Sequence, residues 1–216
     1  MLRRLDPNVG LKVFDIKLYT KTAGPSPDDN IRTEVFLCGC KKAKCGDPCR
    51  GCFNAITWDD ARVEWSIDPI ELAADIDEKA VNKYVTIGGG EPTDQIDNLI
   101  ILAKELKKYG FHIMTFTWRD LEYVLNDKPP VSQNNIKYPI EKDKIKELLK
   151  HIDIIVDGEY HKHERLYKDD TNDGFFGSIG SGNQRIWDVR NMRYEYMRDL
   201  KGLKLDDNGD VIYVKW

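Results

Sequence analysis

Tyr84-Val-Thr-Ile87 is a short apolar, β-favouring run that ends on Gly88-Gly-Gly-Glu-Pro-Thr93, and residues 94–109 beyond it carry apolar side chains at Ile96, Leu99, Ile100, Ala103 and Leu106. That spacing predicts a helix with one buried stripe, stopped by Gly110. Phe111-His-Ile-Met-Thr-Phe-Thr117 reads as the next strand, a helical stretch at about 141–151 follows, and Ile152-Asp-Ile-Ile-Val156 is a third strand. Upstream, Asp68-Pro-Ile-Glu-Leu-Ala73 opens another helix, because Asp accepts from the first free amides and Pro is tolerated at the first helical position. Strand, helix, strand, helix, strand is the order of a parallel α/β sheet with crossover helices.

Towards the amino terminus, Leu11-Lys-Val-Phe-Asp-Ile-Lys-Leu-Tyr19 alternates in part and Thr33-Glu-Val-Phe-Leu37 favours β structure, so both read as strands. The turn formers of Ala23-Gly-Pro-Ser-Pro-Asp-Asp-Asn30 make a loop between them, and Gly, Pro and Lys make residues 38–52 irregular. Residues 126–139, with three prolines and two adjacent asparagines, read as an inserted loop. Asp207-Asn-Gly-Asp210 between Leu203-Lys-Leu205 and Val211-Ile-Tyr-Val214 predicts a terminal hairpin. The 216 residues suit a single domain, 1–216, with its core at about 11–187 and a tail, 188–216, to which no role is assigned.

Hydrophobic residues make up 41% of the chain and charged residues 32%, the balance of a water-soluble globular protein. Its apolar runs are far shorter than the ~20 residues that cross a bilayer. The charged start Met1-Leu-Arg-Arg-Leu-Asp6 does not read as a secretion signal, so a cytoplasmic location and no membrane partner are expected. A formal charge of −4 gives no general reason to bind nucleic acid, although Lys41, Lys42 and Lys44 make a local basic patch.

All five cysteines fall between residues 38 and 52. In a reducing compartment such a cluster holds a metal more often than it forms disulfides. Cys45-Gly-Asp-Pro-Cys49-Arg-Gly-Cys52 puts three thiolates on one compact loop. Three such ligands hold three irons of a cubane cluster and leave the fourth iron open to an outside ligand, whereas ferredoxin-type clusters take four cysteines. A four-thiolate zinc site through Cys38, Cys40, Cys49 and Cys52 competes with this reading. The cysteines alone leave both open.

The Cys45-x3-Cys49-x2-Cys52 spacing is that of the radical S-adenosylmethionine superfamily, and Gly88-Gly-Gly-Glu-Pro92, at a strand end one predicted helix downstream, resembles the superfamily's glycine-rich segment. Cys49-Arg-Gly-Cys-Phe-Asn54 with Thr57-Trp58, Ile152-Asp-Ile-Ile-Val-Asp-Gly-Glu-Tyr160 and Gly180-Ser-Gly-Asn-Gln-Arg-Ile-Trp187 resemble segments of the anaerobic ribonucleoside-triphosphate reductase activating enzymes. The resemblance runs from about residue 32 to residue 187. It implies a partial (β/α) barrel of the radical SAM type with its site at the carboxyl ends of the strands. It also implies a [4Fe–4S] cluster on Cys45, Cys49 and Cys52, and S-adenosylmethionine contacts from Gly89, Gly90, Glu91 and Asn183. Gln184 and Arg185 belong to the same family-typical loop without a stated role, and no catalytic residue is implied. Family members reductively cleave S-adenosylmethionine to a 5′-deoxyadenosyl radical, which takes hydrogen from a glycine of the large reductase subunit and leaves a glycyl radical there. The implied partners are that large subunit and an electron donor such as flavodoxin.

The chain departs from the family pattern in two places. Gly39-Cys40 stands at the strand end where the family has its first ligand, with Cys45 five residues later; the three-residue gap favours Cys45 and leaves Cys40 as the alternative. The segment from Ala23 to Arg32 is longer than the family's Gly-Pro-Gly-x-Arg, which bears on the near wall of the site. His161 and His163 read as exposed loop histidines rather than a metal pair, Asp157 is weighed evenly as a site residue at a strand end, and Trp58 and Trp118 read as packing or partner-surface residues. Two rival functions remain. One is a radical enzyme on a small molecule, such as 7-carboxy-7-deazaguanine synthase, against which Asn183-Gln-Arg185 argues; the other is a non-enzymatic zinc-binding adaptor.

Overall fold

The computed structural model describes all residues except 1, 7, 22–23, 64–65, 127, 166–179, 190–192, 197–202, 206–210 and 214–216. Its strands are β1 (Arg4–Leu5), β2 (Val13–Thr20), β3 (Arg32–Leu37), β4 (Ser66–Ile67), β5 (Tyr84–Gly89), β6 (His112–Thr117), β7 (Ile154–Asp157), β8 (Arg185–Asp188), β9 (Arg193–Tyr196), β10 (Leu203–Leu205) and β11 (Val211–Tyr213). The helices are α1 (Lys41–Lys44), α2 (Pro69–Lys79), α3 (Ile96–Lys108), α4 (Leu121–Asn126), α5 (Asn134–Lys137) and α6 (Lys142–Leu149).

A seven-stranded sheet in the order β2-β3-β5-β6-β7-β8-β9 forms the centre, and β1-β4 and β10-β11 are separate antiparallel pairs. Strands β3, β5, β6 and β7 are parallel, as the alternation of strands and helices predicts. Strand β2 joins β3 antiparallel, and β8 and β9 continue antiparallel from β7. Of the terminal hairpin, β10 and β11 pair antiparallel as expected, while its turn, residues 207–210, lies outside the described residues. Three expectations change. The cysteine segment contains the helical turn α1, residues 126–139 contain α5, and the sheet extends past residue 187 through β9.

Helix α2 begins where its capping residue stands: the Asp68 carboxylate accepts from the amides of Ile70 (2.8 Å) and Glu71 (3.2 Å), with Pro69 in the first turn. Helix α3 starts two residues later than its periodicity suggests, because Pro92–Gln95 forms a 3₁₀ turn first. Leu72 and Ile76 of α2, Leu99, Leu102 and Leu106 of α3, Leu121 of α4, and Ile145 and Leu148 of α6 are all fully buried. They share one core cluster with Val35, Val85, Ile87, Ile113 and Ile155 of the parallel strands. The crossovers therefore all deliver apolar side chains to the same core, each fully buried Leu or Ile contributing roughly 1.5–3 kcal/mol of transfer free energy.

Parallel strands bring their carboxyl ends to a single edge. Leu37 lies beside Gly89 and Thr117 beside Asp157, while antiparallel β8 starts at this edge with Arg185 opposite Asp157. The loop that ends at Arg32 lies at the other edge. The buried Arg32 guanidinium donates to Pro25 O (2.6 Å), Val85 O (2.6 Å) and Thr86 Oγ1 (2.7 Å), near the start of β5. This loop is thus removed from the strand ends where the sequence placed it as a wall of the site.

Candidate functional site

The glycine-rich turn after β5 is shaped by the end of β3. Gly89 has a φ of +102°, and a Cβ there would fall 2.3 Å from Leu37 O; a Cβ on Gly90 would fall 2.1 Å from Gly39 O. The amides of Gly90 and Glu91 donate to those same carbonyls, at 2.9 and 2.8 Å. Glycine is required because two backbones touch here. A Cβ on Gly88, by contrast, would meet only Phe116, at 3.7 Å. The contact binds the root of the cysteine loop directly to the Gly-Glu-Pro loop.

Glu91 is buried, and its carboxylate accepts from the Thr93 amide (3.1 Å), the Thr93 hydroxyl (2.5 Å) and the Trp118 amide (3.0 Å), with Arg119 Nη1 at 3.4 Å. Burial pushes its pKa up, and the Arg119 guanidinium opposes that rise. Arg119 also donates to Asp94 Oδ1 (2.8 Å), whose other oxygen accepts from the Lys41 amide (2.6 Å). The ends of β5 and β6 and the start of α1 are thereby one hydrogen-bonded unit.

No cysteine is in a disulfide; Cys38 and Cys40 are buried, Cys49 and Cys52 half-buried, and Cys45 exposed. Burial pushes the Cys40 thiol up to about 12, with Glu91, Asp94 and Cys49 adding to the rise. Burial likewise pushes Cys49 up to about 11, against the pull of Lys42 and with Glu159 and Cys52 adding. Cys49 thus lies near both Cys40 and Cys52. Among the described residues, a set of three ligand atoms lying within 4.8 Å of one another occurs at His161, His163 and Glu164 and not among the cysteines. Tetrahedral zinc, with Zn–S near 2.3 Å, would need its thiolates roughly 3.8 Å apart. No three of the cysteine sulfurs gather at that spacing.

One lysine of the expected basic patch is not at the surface. Lys42 is 1% exposed, and its ammonium donates to Asp47 O (2.7 Å), Glu159 Oε1 (2.7 Å) and Cys49 Sγ (3.8 Å). Glu159, just past β7, also accepts from Ser132 Oγ (2.9 Å) and Asn134 Nδ2 (3.0 Å). Phe53, next to Cys52, packs on Tyr160 with ring centroids 4.9 Å apart. The cysteine loop, which leaves β3, is therefore anchored on the end of β7. Nothing in Lys41-Lys-Ala-Lys44 marks Lys42 as the buried one; only its partners do.

The Asn183-Gln-Arg185 segment folds onto the same edge. Asn183 Nδ2 donates to Glu159 O (2.9 Å), while its Oδ1 is buried and has no partner among the described residues. Gln184 Oε1 accepts from the amides of Gly180 and Ser181 (3.1 Å each), and its Nε2 donates to Gly158 O (3.0 Å). Arg185 opens β8 and donates to Asp157 (2.9 Å), Glu122 (2.7 Å) and Asp120 (2.5 Å). Asp157 is fully buried and also accepts from the Leu121 amide (2.7 Å), so its carboxylate serves the fold at this edge. The rings of His161 and His163 stack at 5.3 Å and share the Glu164 carboxylate at 3.2 and 3.5 Å, with His163 79% exposed.

A family model described as a 4Fe-4S single cluster domain matches residues 29–187. The anaerobic ribonucleoside-triphosphate reductase-activating protein of Enterobacteria phage T4 is 25% identical over 165 residues, covering 72% of this chain and 83% of that protein. The crystal structure of QueE from Escherichia coli superposes with a TM-score of 0.34 at 21% identity over 50% of each chain. Among the described residues no helix is long and apolar enough to cross a membrane. The resemblance to radical S-adenosylmethionine activating enzymes is borne out by the family model and the phage relative. Since the matched span holds all five cysteines, the Gly-Glu-Pro loop and Asn183, this chain belongs to the 4Fe-4S single cluster domain family.

Proposed function

We propose that this protein is a radical S-adenosylmethionine activating enzyme that generates a glycyl radical on the large subunit of an anaerobic ribonucleoside-triphosphate reductase. The observation that carries the reading is the meeting, at one edge of the sheet, of the cysteine loop, the Gly-Glu-Pro loop and the Asn183 loop. The phage relative supports the choice of substrate. When bound, the reduced cluster supplies the electron that splits S-adenosylmethionine to the 5′-deoxyadenosyl radical. Cys49 and Cys52 are two of its ligands. Spacing names Cys45 as the third, but the burial of Cys40 and its reach to Cys49 and Glu91 support Cys40 instead.

For the cofactor, Gly89 and Gly90 offer only backbone, and Gly88 has the open side. The unpaired Asn183 Oδ1 supports a role for Asn183 as acceptor of a cofactor donor, since a buried amide oxygen without a partner is costly. Helices gathered into one core, with loops joined from β3 to β7, support the partial barrel as the form of this open sheet. An open side suits a glycine borne on another protein. A reductant such as flavodoxin and a cytoplasmic setting complete the proposal.

The test is anaerobic reconstitution with iron and sulfide, followed by mixing with S-adenosylmethionine, reductant and the reductase. The expected result is an electron paramagnetic resonance doublet from a glycine-centred radical, absent in Cys49→Ala. Cofactor cleavage without that signal in the presence of a competent reductase would point to a small-molecule substrate. Bound zinc without labile sulfide would point to an adaptor.

A further inference from the structure

The geometry points to Lys42 as a positioning residue that, by donating to the Cys49 sulfur, raises the reduction potential of the cluster, with Glu159 acting in the opposite sense. The inference rests on the reading above that Cys49 is a cluster ligand. An ammonium taken out of water costs several kcal/mol unless it is fully paired. Lys42 is 1% exposed and uses its donors on a carbonyl, a carboxylate and a thiol. A buried ion pair is weak evidence for stability, since apolar side chains fill the same space as well or better. The sulfur contact gives this one a different purpose.

One-electron reduction adds a negative charge to a group already held by thiolates. A cation beside one thiolate, and a hydrogen bond to its sulfur, favour the reduced form over the oxidised one. Glu159 is bonded to that cation and carries the opposite charge, so it offsets part of the effect. Its other oxygen is held by Ser132 and Asn134, which keeps the pair in place without help from the cysteines. Lys42 also lies between Gly39-Cys40 and Cys49, where this chain departs from the family pattern, so the charge comes from within the cysteine segment itself.

The test is potentiometry on the reconstituted protein, with iron and sulfide counted in every sample. Lys42→Met is expected to keep the cluster and lower the reduced-to-oxidised ratio about tenfold at a fixed solution potential, ~59 mV for one electron. Glu159→Gln is expected to shift the ratio upward. Opposite shifts are the signature of charge, whereas a loosened loop would move both variants alike. Unchanged potentials, or shifts of the same sign at full iron content, overturn the inference. Should Lys42→Met fail to hold iron, Glu159→Gln decides alone: a rise supports the role, and no change or a fall overturns it. A wild-type protein that binds no iron and sulfide removes the cluster reading itself, and this inference with it.

Discussion

Two thiols separated by five residues differ in what surrounds them. Cys45 is exposed at the end of α1, whereas Cys40 is buried at its start, within reach of Cys49, Glu91 and Asp94. Cys40→Ala is therefore expected to abolish cluster assembly, and Cys45→Ala to leave iron and sulfide near the wild-type content, measured by metal analysis after anaerobic reconstitution. The reverse result would restore the three-residue gap as the guide to the ligands. That this segment is a candidate metal site was legible from the density of its cysteines, a local property of the sequence. Which of them is shielded was not, because the groups that meet Cys40, the Trp58 carbonyl that accepts from its amide and the Glu91 carboxylate near its thiol, are brought there by other elements.

Among the elements, those with a strong local signal formed as read, and short ones tied by distant partners did not announce themselves. Helix α2 has Asp68, Pro69 and an apolar stripe in sequence order, so its start is written locally. Asp68→Ala removes the acceptor for two amides and is expected to cost about 1 kcal/mol, seen as a fall of ~2–4 °C in the thermal midpoint. Strand β8 is four residues long and follows a glycine-rich turn, and its pairing with β7 crosses roughly thirty residues of chain. Nothing in Arg185-Ile-Trp-Asp188 identifies it as an antiparallel strand until β7 stands beside it.

At the scale of the whole molecule, Arg185 joins three parts of the fold: Asp157 at the end of β7, Asp120 and Glu122 at the start of α4, and its own strand. Arg185→Met would leave Asp157 buried and without its cation. The expected loss is about 3–5 kcal/mol in urea unfolding, with part of it recovered when Asp157→Asn is added. If stability were unchanged, the segment would be free for the cofactor rather than committed to the fold.

The sequence by itself determined the parallel core and its order of strand and helix, and marked residues 38–52 as a candidate metal site, because periodicity, capping and cysteine density act over a few residues. Only the tertiary structure decided how the motifs meet. It set Gly89 and Gly90 against the backbone of β3, moved the loop before Arg32 to the far edge, and buried Lys42 under Glu159, 117 positions away. These are contacts between segments distant along the chain, and their energies depend on which backbone atoms and charges the sheet brings within hydrogen-bond reach, a quantity that no local pattern of residues contains.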